Sequence, residues 1–172
     1  MMKLLGAVLV LFAGTMIGFY QAARYAARPR HLRQLIHALQ RLETEIGYGR
    51  TPLPEALNRT AGVLTEPLRS LFSQAASGIQ GEDELTFQQS WGQAMKSGWP
   101  ATAMREPELA VLLRLGSSLG ISDKDDQLKH IHLAVLQLGA EEDAARDDQA
   151  RYEKMWRSLG VLAAVLFVIL MV

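Results

Sequence analysis

Cysteine is absent from the 172 residues, which excludes disulfides and thiolate metal sites. A charge bias is absent too. Lys+Arg and Asp+Glu each number 18, so nothing draws the chain as a whole toward nucleic acid. No G-x-S-x-G, P-loop or glycine-rich phosphate cradle occurs. The four histidines are His31, His37, His130 and His132. The last two are two positions apart, so on a helix they face different ways and cannot chelate one metal. No stretch alternates with period two for long enough to make a strand. The chain therefore reads as all-α, without cofactor or catalytic constellation.

What is present is a segregation of charge. Residues 4–23 carry none, and twenty uncharged, mostly apolar positions match the roughly 20 needed to span a hydrocarbon core. A retained anchor is favoured over a cleaved signal peptide, because only Lys3 precedes the stretch and arginines follow at once. Gly14 and Gly18 form a small-xxx-small pair that would let another membrane helix approach. Arg24, Arg28, Arg30, Arg33 and Arg41 all come before the first acid, Glu43. By the positive-inside rule the N-terminus is extracytoplasmic and the chain from Arg24 onward is cytoplasmic.

The C-terminal end mirrors this. Residues 158–172 carry no charge, while Arg151, Lys154 and Arg157 precede them. Trp156 would sit at the interface and Arg157 would snorkel. Leu4, Gly14, Gly18, Trp156, Arg157 and Gly160 are the residues assigned to membrane. The expected organisation is an N-terminal transmembrane helix (1–23), a cytoplasmic helical bundle with a charged stalk (24–157) and a C-terminal transmembrane helix (158–172).

Residues 122–172 read as one long helix, with Ser122 as N-cap and acids in its first turn. Its stripe runs Leu128, Ile131, Val135, Leu138, Glu142, Ala145, Gln149, Tyr152. Glu142 and Gln149 on that line predict that the helix leaves the core and continues as a solvated stalk. The acids of 141–148 then pair within the helix.

The middle of the chain is helical throughout. Pro29 suits a first turn, and Leu32, Leu35, Ile36, Leu39, Leu42 and Ile46 line one face. Thr51 as N-cap with Pro52 behind it restarts the chain after Gly47-Tyr48-Gly49. Thr65-Glu66-Pro67 caps the next helix, whose Leu68, Leu71, Phe72 and Ala75 face inward. Residues 77–83 read as a loop. A fourth helix carries Trp91, Ala94 and Met95. A fifth starts near Pro107 and stops at Gly120.

Glu43 borders the apolar stripe and needs a partner, either an arginine or the N–H groups that open the Thr51 helix. Arg30, Arg33, Arg41, Glu43, Tyr48, Thr51 and Glu55 form the candidate partner-binding surface. Two other readings compete with a scaffold: a membrane enzyme or transport subunit, for which the anchors hold no polar pair, and a secreted protein with a cleaved signal.

Three stretches carry a resemblance: PRHLRQLIHALQRLETEIGYGRTPLPEAL (29–57), LLRLGSSLGISDKDDQLKHIHLA (112–134) and RYEKMWRSLGVLAAVLFVILMV (151–172). In this order they resemble the stage III sporulation protein AB family, which is similar to the F-domains of type II secretion and type IV pilus platform proteins. The resemblance implies a compact bundle of about six helices. It also implies a non-enzymatic membrane component of the complex joining mother cell and forespore. The implied partners are a secretion-type ATPase like stage III sporulation protein AA, other channel components and membrane lipid. A general type II/IV secretion-like scaffold is the alternative. Unlike secretion platforms, the chain has one such domain and no paired central membrane segments.

Overall fold

A computed structural model describes the backbone of residues 2–48, 51–80, 85–121 and 123–171, and the side chains within 25–48, 51–79, 85–121, 123–152 and 155. Among the described residues there are six α-helices and no strand: α1 (Met2–Tyr48), α2 (Leu53–Ala61), α3 (Leu68–Gln80), α4 (Phe87–Gly98), α5 (Glu106–Ser118) and α6 (Lys124–Met171). A 3-10 turn, Trp99–Ala101, follows α4. The all-α expectation and the helix count hold. The membrane residues Leu4, Gly14, Gly18, Trp156, Arg157 and Gly160 lie outside the residues whose side chains are described. Among the described residues, no helix is long and apolar enough to cross a membrane.

The frame is the antiparallel pair α1 and α6, with α2–α5 packed beside it. The core face of α1 is the expected one: Leu32, Leu35, Leu39 and Leu42 are fully buried. Ile131, Ala134, Leu138 and Ala145 of α6 join them in one apolar cluster. Pro29 does not begin this helix. It lies inside α1, where its ring removes one backbone N–H donor. Next to it, Arg30 Nε donates to Ala26 O at 3.0 Å and serves a carbonyl within that interrupted turn.

The shorter helices follow their start signals with shifts of a residue or two. Thr51 is not the cap of α2: Pro52 is, with φ −57° and ψ 143° and no side-chain capping bond. Pro54 can occupy the first turn because no donor is needed there, and Ala56 N–H closes the first bond onto Pro52 O at 3.0 Å. Thr65 likewise turns from its own helix to Gln34 Oε1 of α1, at 2.9 Å. Thr86 caps α4 with a reciprocal box to Gln89. Ser122 lies outside the described residues, and the carboxylate that accepts an N–H at the start of α6 is Asp123, from Asp126 at 2.8 Å.

The stretch expected as a loop from Ser77 is helix as far as Gln80, and residues 81–84 lie outside the described ones. Gly78 is there for close approach. A Cβ on it would run into Ser90 of α4, whose hydroxyl donates to Ala75 O at 2.7 Å. Trp91 fills the centre, edge-on to Phe72 at 5.5 Å between ring centroids, and its indole N–H donates to Leu112 O at 2.8 Å.

Candidate functional site

The expected surface does not come together as one patch. Arg30 and Tyr48 lie on the same helix, about 27 Å apart at ~1.5 Å per residue. Arg30 and Arg41 are exposed. Arg33 is half committed, its Nε donating to Glu142 Oε1 of α6 at 2.9 Å. Tyr48 is 93% exposed at the far end of α1. Thr51 is half-buried, and Glu55 is exposed and paired with Arg59 one turn on, at 2.7 Å. Thus Tyr48, Thr51 and Glu55 belong to one end of the bundle and Arg30 to the other.

Glu43 takes neither of its expected partners. It lies on the wall of an open cavity of about 480 Å³ between the end of α1 and the start of α6, with Tyr48, Lys124 and Asp125. His132 Nδ1 is 3.9 Å from its carboxylate, too far for a hydrogen bond.

A different set of residues is brought together at the other end. Glu108 of α5 is fully buried. One carboxylate oxygen accepts Arg28 Nε at 2.8 Å and Nη2 at 2.6 Å, and the other accepts the Arg105 N–H at 2.8 Å. Arg28 Nη2 also donates to Glu141 of α6 at 2.8 Å. Its Nη1 lies 3.7 Å from Asp148, also of α6. Arg105 reaches the same Asp148 at 3.2 Å. A guanidinium surrounded by three carboxylates therefore joins α1, α5 and α6.

The solvated stalk is accordingly corrected. Glu142 is 8% exposed and Ala145 1%, because the polar positions on α6 face polar positions on α1. Glu142 bridges Arg33 and Arg146. Burial pushes its carboxyl up, but the hydrogen bonds and charges of those two arginines outweigh burial and hold it below the usual carboxylate range. One ring of α1, Tyr25, stacks on Tyr152 of α6 with centroids 4.0 Å apart.

The sequence offered a signal for this cluster. Arg28 is on the same helical line as Leu32, Leu35, Leu39 and Leu42, and a charge on a core stripe needs a buried partner. Glu108 is the third residue of its helix, where a carboxylate reaches back to the preceding N–H. Reading 24–41 as one basic run hid the difference between Arg28, which points inward, and Arg30, which does not.

Chemically the arrangement binds helices together. Among the described residues no group of His, Cys, Asp or Glu could hold a metal ion, and no buried side-chain nitrogen or oxygen lacks a hydrogen bond. Residues 3–172 match the family described as stage III sporulation protein AB. The chain belongs to that family. It is 43% identical over 172 residues to stage III sporulation protein AB of Bacillus subtilis (strain 168), covering 99% of each chain. A solved structure of a stage III sporulation protein AB superposes with a TM-score of 0.68 at 38% identity, covering 73% of this chain and 98% of that one. Membership in the family places the chain among sporulation proteins and agrees with the helical bundle.

Proposed function

We propose that this chain is a non-enzymatic membrane component of the sporulation channel complex, and that its helical bundle serves as a mount for a cytoplasmic secretion-type ATPase. In this reading residues 4–23 and 158–172 span the mother cell membrane, with the N-terminus outside and the bundle in the cytoplasm. The observation that carries it is the antiparallel pairing of α1 and α6. Tyr25 and Tyr152 meet at one end of the bundle, and the two uncharged runs of the sequence both lie beyond that end. An opposite placement of the runs would give no common exit toward one bilayer.

The partner-facing residues in this reading are the exposed ones, Arg30 and Arg41 along α1 and Tyr48, Thr51 and Glu55 at the far end. Arg33 is set aside as a test position because Glu142 holds it. Replacing Arg30 and Arg41 by Glu, with Tyr48→Ala, weakens capture of the ATPase from membranes of sporulating cells by about thirtyfold or more, the loss expected when hot-spot contacts worth ≥ ~2 kcal/mol are removed. Membrane insertion of the variant stays unchanged. Undiminished capture would remove this docking surface.

A further inference from the structure

The contacts between α1 and α6 share one antiparallel register. Tyr25 meets Tyr152, Arg28 meets Asp148, Arg33 meets Glu142, and Glu43 lies opposite His132. The buried Ile131, Ala134 and Leu138 fix which face of α6 meets α1 in the core. Arg28 adds a directional contact at the outer end, because its five N–H groups form a rigid planar fork.

We infer that Arg28 and the three carboxylates around it hold the outer ends of α1 and α6 together, so that the two helices leave the bundle as one stiff two-stranded stem. The side chain of Arg28 is only 6% exposed while it holds these carboxylates, so a carboxylate that moves away uncovers a buried guanidinium. Parting the outer end of α6 from α1 withdraws both Glu141 and Asp148 from the fork, while Ile131, Ala134 and Leu138 stay buried in the core. Glu108 stays with Arg28 in either case, because α5 carries it. Glu141 and Asp148 are therefore the lock, and the buried Arg28–Glu108 pair is its fixed half. Arg33 and Glu142 provide a second stop within the same register. A tilt imposed on the bundle then moves both helices together. This inference concerns the stem alone and holds whichever protein docks on the bundle.

Because the chain has no cysteine, pairs of spin labels can be placed uniquely on the full-length protein in lipid nanodiscs. One pair, Ala27→Cys with Arg151→Cys, reports the base of the stem. The other, His37→Cys with Gly139→Cys, reports the interior of the bundle at two positions open enough to accept a label. The otherwise native chain gives a single narrow distance for each pair. In Glu141→Gln/Asp148→Asn, which leaves the buried pair intact, the outer pair gains a second, longer-distance population as the helix ends part, while the inner pair keeps its distance. Arg28→Met gives the same pattern with a larger displaced fraction; if that variant does not fold, the carboxamide variant decides alone. An outer distance that stays single and narrow overturns the inference. So does a parallel change of both distances, because the cluster would then support the whole bundle and not the pairing of its helix ends.

Discussion

At the scale of single residues, protonation decides two contacts in the same direction. His31 is half-buried, and its Nδ1 accepts the Ala103 N–H at 3.1 Å, a role open only to the neutral ring. Burial, and then the charge of Arg30, lower its pKa below the ordinary 6.5. The unfolded chain therefore takes up this proton first. The His31 contribution is complete above pH 6.5 and is lost as pH falls from there through the lowered folded value. Glu142, held below the ordinary 4.5, contributes above that value and is lost as pH falls through its own folded one. Urea unfolding from pH 8 to pH 3 should show stability declining first below about 6.5. His31→Gln should flatten that first decline and leave the lower one. A decline unaltered by the substitution would assign it to another group.

Helix by helix, the glycines separate contact from propensity. Gly116 of α5 lies directly under the Trp91 ring, and a Cβ there would collide with the indole. That indole is fixed by its bond to Leu112 O and cannot retreat. Gly139 of α6 has nothing within 4 Å of the same added atom. Gly116→Ala should therefore cost about 1–3 kcal/mol by overpacking, while Gly139→Ala should stabilise by up to about 1 kcal/mol through helix propensity alone. Equal effects of the two, measured by denaturant unfolding, would contradict the packing of α4 on α5.

The same contrast explains what could be read in advance. Local chemistry announces α2 and α5: prolines in first turns, and a Gly120 stop that takes φ 82°. The end of α3 was obscured because Gly78 looks like a breaker when only its neighbours in sequence are considered; its reason is Ser90, on another helix. The pairing of α1 with α6 was out of reach for a stronger version of the same reason. Arg28 and Glu141 are 113 positions apart, and a carboxylate that is solvated on one helix and one that is paired across two have the same local sequence. Of the candidate partner surface, the exposure of Arg30, Arg41, Tyr48 and Glu55 was legible, but not their division between two ends of the bundle.

For the whole molecule, the proposed orientation makes an accessible prediction. Protease added outside intact cells should leave 24–157 uncut, and the same protease should cut that region once cells are permeabilised. Cleavage of intact cells within it would reverse the topology and exclude a cytoplasmic partner. At this scale the chain also has an order in time. The core face of α1 is the first amphipathic surface to leave the ribosome, while the helix that covers much of it, α6, is the last. Sequence-distant contacts of this kind close late. Leu32, Leu35 and Leu39 thus remain partly uncovered until translation is nearly finished, and a chain stopped short of α6 presents bare leucines to whatever chaperone or protease reaches it first.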